Sequence, residues 1–293
     1  MKEIRGTGVA LITPFRADQS VDYDALEQII NFQIENGVDY LVSLGTTGET
    51  ATLSKEEKQK VWQFTADTVK NRVPLVAGIG GNNTLAVAQE IKTFNIKGYI
   101  AILSVSPYYN KPTQEGLYEH YKYLSKSSPL PLILYNVPGR TGSNLNADTC
   151  IRLAKDCKNI VAVKEASGDL EQISKILRDA PVGFQVISGN DSDTVSMIAL
   201  GAVGVISVLG NALPKELNKL VNSALSGDFS IAREQHKKII QLIDLCFLEG
   251  NPAGVKNMLH HKNICLEKLR LPLTPVSKNT SEAIAMAIQA LEK

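Results

Sequence analysis

"IVAVKEA", residues 160–166, begins as a run of small and β-branched apolar residues, the composition of a buried strand. It then ends on Lys164 and Glu165. A buried ammonium is costly unless it is paired or gives up its proton, so this strand needs a partner or a purpose for its lysine. Seven other runs of the same kind recur along the chain: "GVALI" at 8–12, "LVSLG" at 41–45, "PLVAGIG" at 74–80, "YIAILSVS" at 99–106, "PLILYN" at 131–136, "FQVISG" at 184–189 and "GVISVL" at 204–209. Each is too short for a typical helix and is bounded by Gly, Pro or polar residues, so each reads as a strand.

Amphipathic stretches separate the runs. "SKEEKQKVWQFTADTVKN" at 54–71 opens with Ser54 followed three residues later by Glu57, a capping box. Val61, Phe64, Thr65, Thr68 and Val69 then recur at helical spacing. Near-continuous apolar strands, each followed by a helix, imply a parallel sheet covered on its faces. Eight such units over residues 1–225 match an α/β fold, the (β/α)8 TIM barrel; an open doubly wound sheet is the rival. Strand signals stop near residue 226. "DFSIAREQHKKIIQLIDLCFLE" (228–249) and "TSEAIAMAIQALEK" (280–293) read as helices, which makes 226–293 a C-terminal helical extension.

The bulk properties exclude several classes. The 293 residues are 44% hydrophobic and 21% charged, with net charge +1, so nothing favours a nucleic-acid partner. The longest apolar tract, 198–213, carries Ser207 and Asn211 and falls short of a membrane span. No signal peptide is visible, and the four cysteines lack CxxC spacing. The expectation is a soluble cytoplasmic protein. No metal is expected either, since the adjacent His260 and His261 face different ways on a helix.

In such a barrel, function sits where the strands end. The second run leads into "GTTGET" (45–50), the fourth into "SPYYN" (106–110), the fifth into Tyr135 and "NVPGRTG" (136–142), the sixth into Lys164 and the seventh into "SGND" (188–191). Alternation puts Ile160, Ala162 and Lys164 on one face and Glu165 on the other. An apolar lumen disfavours an ammonium, and a neutral amine can attack a carbonyl carbon to form a Schiff base. The strand pattern alone leaves this reading level with a structural ion pair. The turn with Thr46 and Thr47 suits a small carboxylate. Tyr135 and Tyr109 are candidate proton carriers, and Arg140 is a candidate carboxylate clamp. Each of these residues, taken singly, is equally compatible with packing or a surface position.

"GTTGET", "SPYYNKPTQEGLY", "YNVPGRTG", "VKEASGD" and "SGND", in this order and at these spacings, resemble the dihydrodipicolinate synthases. These are a branch of the pyruvate-dependent Schiff-base aldolases that also include N-acetylneuraminate lyase. The resemblance spans essentially the whole chain. It implies a lyase that joins pyruvate to L-aspartate 4-semialdehyde in lysine and diaminopimelate synthesis, without a cofactor. Lys164 would carry the Schiff base. Tyr135, Thr47 and Tyr109 would form a proton relay, with Tyr109 reaching into a neighbouring subunit. Thr46 would lie beside the substrates, Arg140 would hold the semialdehyde carboxylate, and Gly189 and Ile206 would line the pocket, Ile206 through its backbone. The assembly implied is a homotetramer, a dimer of dimers.

Lysine-inhibited members of that family bind lysine at a dimer interface. The corresponding positions here are Thr50, Ala51, Lys55, Lys58, Asn82, Ala86 and Tyr108. Asn82 and Tyr108 match, but Ala86 replaces the family's glutamate and Lys55 and Lys58 replace two histidines. The resemblance therefore implies weak or absent feedback. Two other readings remain open: a different pyruvate aldolase, such as an N-acetylneuraminate or 2-keto-3-deoxy sugar-acid lyase, and a catalytically silent barrel that senses a keto acid.

Overall fold

A computed structural model describes residues 4–291. All eight runs form strands: β1 (Gly6–Ala10), β2 (Tyr40–Ser43), β3 (Leu75–Gly78), β4 (Tyr99–Val105), β5 (Leu132–Asn136), β6 (Ile160–Glu165), β7 (Gln185–Ser188) and β8 (Gly204–Ser207). They pair in sequence order, all parallel. The ring closes where β8 meets β1, with Gly8 opposite Ile206. The closed ring excludes the open sheet.

The helices covering it are α1 (Tyr23–Glu35), α2 (Lys55–Val69), α3 (Thr84–Thr93), α4 (Gln114–Ser127), the short α5 (Pro138–Thr141), α6 (Ala147–Asp156), α7 (Leu170–Asp179), α8 (Thr194–Leu200) and α9 (Pro214–Leu225). The capping box of α2 forms as its sequence dictates: Ser54 Oγ accepts from the Glu57 amide, and Glu57 accepts from the Ser54 amide at 2.8 Å. Val61, Trp62, Thr65 and Val69 form its buried face.

Two apolar layers hold the barrel. Between strands and helices runs a continuous core that includes Val9, Leu41, Leu134, Val163 and Val205. The lumen is filled by the alternate residues, among them Ala10, Val42, Ala101, Ile133, Ala162, Ile187 and Ile206. Tyr40 plugs its lower part, donating its hydroxyl to Val205 O at 3.2 Å. Gly8 makes room for that ring: a Cβ there would lie 2.2 Å from Tyr40 Cζ.

The extension consists of α10 (Phe229–Leu248), α11 (Ala253–His261) and α12 (Lys278–Leu291). It is not a detached body, because Ala232, Ile239, Leu242 and Val255 join the same core as Leu217 and Leu220 of α9. Among the described residues no helix is long and apolar enough to cross a membrane. All four cysteines are free and buried.

Candidate active site

The strand ends converge on one cavity. Thr46, Thr47, Tyr135, Arg140, Lys164 and Gly189 all line it, although they come from five different strand–helix connections or strand ends. Lys164 is the penultimate residue of β6 and only 4% exposed. Register pairs it with Tyr135 on β5, whose ring centroid lies 4.4 Å from Nζ. Small neighbours admit the lysine stem. Ala162 lies below it on the lumen side, and a Cβ on Gly189 would sit 3.1 Å from Lys164 Cε.

Glu165 faces the other way. Its carboxylate accepts from Asn136 Nδ2 at 3.0 and 3.1 Å, from the Ser167 amide at 2.9 Å and from Gln172 Nε2 of α7 at 3.0 Å. Burial raises its pKa, and these donors counter part of that rise. The chain-neighbour that suggested an ion pair is thus fully engaged elsewhere. Among the described residues Lys164 has no carboxylate within ion-pair distance. The nearby charge of Lys164 acts on the buried Asp191 without a direct ion pair, and a lysine amine held free of a contact carboxylate is well placed to be a nucleophile.

After β2 the chain makes a tight turn, Thr46–Gly48, and Glu49 then adopts a left-handed conformation. Thr50 Oγ1 donates to Leu44 O at 2.8 Å and to Gly45 O at 2.9 Å, and Thr13 Oγ1 donates to Gly48 O at 2.7 Å. These bonds fix the two threonines differently. Thr46 is exposed at the cavity mouth, whereas Thr47 is 2% exposed and accepts from Asn251 Nδ2 at 3.0 Å. Arg140, on α5, is exposed at the mouth and makes no ion pair among the described residues.

Two residues expected at the active site do not line this cavity. Ile206 is wholly buried in the lumen beneath the cavity, and Val208, two residues on, lines the wall. Tyr109 is outside the cavity, 88% exposed, with φ of 74°. A non-glycine residue in that region is uncommon, and the ring is carried away from its own barrel. Tyr108 is likewise exposed, and its carbonyl accepts from Asn82 Nδ2 at 3.2 Å. Near them, Lys58 pairs at 3.5 Å with Glu90, one helical turn beyond Ala86 on α3. Lys55 and Ala51 are exposed.

Several supports leave no mark in the local sequence pattern. Asp191 is fully buried; it accepts from the Ser207 hydroxyl and from the Val208 and Leu209 amides at 3.1 and 3.0 Å, tying the loop after β7 to the one after β8. Burial raises its pKa against those bonds. Lys256 of α11 is wholly buried. It bonds Glu49, donates to Lys268 O at 2.8 Å and lies 4.2 Å from the Phe15 ring centroid. Burial pulls its ammonium below the ordinary lysine range, and Glu49 opposes this. Among the described residues no group of three or more His, Cys, Asp or Glu could hold a metal.

The sequence profile of the dihydrodipicolinate synthetase family matches residues 3–291. A 4-hydroxy-tetrahydrodipicolinate synthase of Azobacteroides pseudotrichonymphae is 52% identical over 285 residues, which is 97% of this chain and 96% of that one. The crystal structure of dihydrodipicolinate synthase from Aquifex aeolicus superposes with a TM-score of 0.96 at 41% identity, covering 99% of this chain and 98% of the other. A chloride-inhibited dihydrodipicolinate synthase of Acinetobacter baumannii, solved in complex with pyruvate, gives a TM-score of 0.96 at 40% identity and 99% coverage of both.

Proposed function

The chain belongs to the dihydrodipicolinate synthetase family, and from that membership we infer the chemistry of its site: Lys164 forms a Schiff base with pyruvate, which then condenses with L-aspartate 4-semialdehyde. The activity is that of a 4-hydroxy-tetrahydrodipicolinate synthase, a lyase serving lysine and diaminopimelate synthesis. The observation that carries the residue assignment is the buried Lys164 amine, unpaired and covered by the Tyr135 ring in a cavity with hydroxyl donors on its wall and a guanidinium at its mouth.

The neutral amine attacks the carbonyl carbon of pyruvate, and water leaves to give an iminium. That iminium withdraws electrons, so a methyl proton is lost and an enamine forms. The enamine carbon attacks the aldehyde of the semialdehyde, making the new carbon–carbon bond, and the aldehyde oxygen takes up a proton. The substrate's own amine then displaces Lys164 by transimination, closing the ring and freeing the lysine. Arg140 meets the semialdehyde carboxylate at the mouth, where a forked donor gives two bonds.

Tyr135 hands protons to and from the reacting centre. The exposure of the two threonines argues for a division of labour different from that implied by resemblance alone. In this reading Thr46, exposed at the mouth, links Tyr135 to Tyr109 of the partner subunit. Thr47, sunk beside Asn251, donates to the pyruvate carboxylate. Tyr109, strained and exposed on its own protomer, completes the site of a second copy, which supports assembly as tight dimers, and we propose that these pair into the tetramer the resemblance implies.

The test is a steady-state assay with pyruvate and aspartate semialdehyde, coupled to a reductase acting on the product. It is paired with borohydride reduction in pyruvate alone. One reduced adduct per chain and turnover in the coupled assay are expected; an absent adduct would remove the mechanism.

A further inference from the structure

Thr47 is held by a side chain from the far end of the sequence. Asn251, between α10 and α11, lines the same cavity and is only 7% exposed. Its Nδ2 bond to Thr47 Oγ1 spans 204 residues, and its Oδ1 has no partner among the described residues. An amide NH2 only donates, and a hydroxyl has one proton and two acceptor lone pairs. Thr47 therefore accepts from Asn251, and its own proton is directed elsewhere.

The delivery of Asn251 is rigid. Lys256, in the following helix, bonds Glu49 two residues beyond Thr47. The Arg270 amide donates to the other Glu49 oxygen at 3.1 Å, and its guanidinium donates to Thr52 O at 2.9 Å. The extension thus grips the threonine turn from several sides. Removing one member of such a buried pair would leave an uncompensated buried charge, so the arrangement resists loosening.

We propose that Asn251 is a positioning residue for the pyruvate carboxylate. By donating to Thr47 it obliges the Thr47 hydroxyl to donate in turn into the cavity, where a carboxylate can only accept. The inference rests on the pyruvate reading of the site.

Pyruvate alone suffices to test it. Formation of the Schiff base and enamine exchanges the pyruvate methyl protons for deuterium in D2O, without a second substrate. The half-saturating pyruvate concentration for exchange is compared in wild type, Asn251→Ala, Thr47→Val and the double variant. Each single change is expected to raise it about tenfold, the scale of one hydrogen bond to a charged group. The double variant should be no worse than Thr47→Val, because the two residues act as one unit. A multiplicative loss in the double variant, or an Asn251→Ala value within about twofold of wild type, would overturn the proposal.

Asn251→Asp, close to the native shape, gives a second readout and covers the case of a poorly folding alanine variant. Its carboxylate would accept the Thr47 proton, whereas its protonated form would donate as the amide does. Exchange should improve as pH falls through that carboxyl's titration, and a pH profile parallel to wild type would count against Asn251 acting through Thr47. Absence of exchange by the wild-type chain would overturn the pyruvate reading and this inference together; the other outcomes strike the inference alone.

Discussion

Lys164 and Tyr135 stand side by side across the β5–β6 pair, with the amine nitrogen 4.4 Å from the centre of the phenol ring. The ring covers the amine, and in the proposed mechanism the hydroxyl carries the protons, so the two functions of Tyr135 are separable. Lys164→Ala should abolish the borohydride adduct and lower turnover by at least about 10³-fold. Tyr135→Phe should keep the adduct, because the ring remains, yet lose about 10²-fold or more in turnover. Intact-protein mass and the coupled assay separate the two. An adduct persisting in Lys164→Ala would place the nucleophile elsewhere.

Arg140 is exposed at the mouth without an ionic partner among the described residues. Arg140→Ala should raise KM for the semialdehyde about tenfold or more while leaving pyruvate half-saturation nearly unchanged, as expected for a lost charge-assisted bond. A sugar-acid lyase would not need this contact. Unchanged semialdehyde kinetics would revive that alternative.

The 88% exposure of Tyr109 suggests an experiment on mixed assemblies. Tyr109→Phe and Lys164→Ala should each be nearly inactive. Dissociated and reassembled together, they should regain activity, since one site then combines an intact Lys164 with an intact Tyr109 from the other chain. Failure to recover activity in confirmed mixed oligomers would return Tyr109 to a structural role.

Arg270 grips Glu57 through two bonds, at 2.6 and 2.8 Å, and the guanidinium holds the Glu57 carboxyl down to about 2 from its ordinary 4.5. A depressed folded-state pKa stabilises the fold fully above the unfolded value and is lost as pH falls through the folded one. Because the pair is partly exposed, Glu57→Gln should cost about 2 kcal/mol at neutral pH. That difference should shrink as pH falls from 4.5 towards 2, as followed by denaturant unfolding at each pH. A difference independent of pH would mean the bonds, not the charge, matter.

Ala86 offers no acid to a lysine ligand, and the nearest helical carboxylate, Glu90, already pairs with Lys58. Free lysine should therefore inhibit weakly or not at all, whereas Ala86→Glu should increase sensitivity. Half-maximal inhibition of the wild type by micromolar lysine in the steady-state assay would contradict this.

The eight strands were legible because parallel barrel strands are buried on both faces and leave unbroken apolar runs. Lys164 was legible because it interrupts one. Ile206, expected to line the pocket through its backbone, has its side chain buried in the lumen, and Val208, just past the end of β8, reaches the cavity wall. The helix Ala253–His261 escaped notice for a different reason. Its residues from Ala253 to Leu259 are all buried, Lys256 and Asn257 included, so it carries no amphipathic stripe. Asn251 escaped with it, since a contact with Thr47 across 204 residues leaves no local pattern.

Glu49 and Lys256 are separated by 207 residues. During synthesis every barrel strand is made before the counter-charge of Glu49 leaves the ribosome. Until then the threonine turn holds an acid that has nothing to bury against, and Thr47 has no amide to orient it. A chain released early would therefore not be a slower enzyme. It would be a barrel whose threonine turn lacks the Lys256 and Arg270 contacts that hold Glu49.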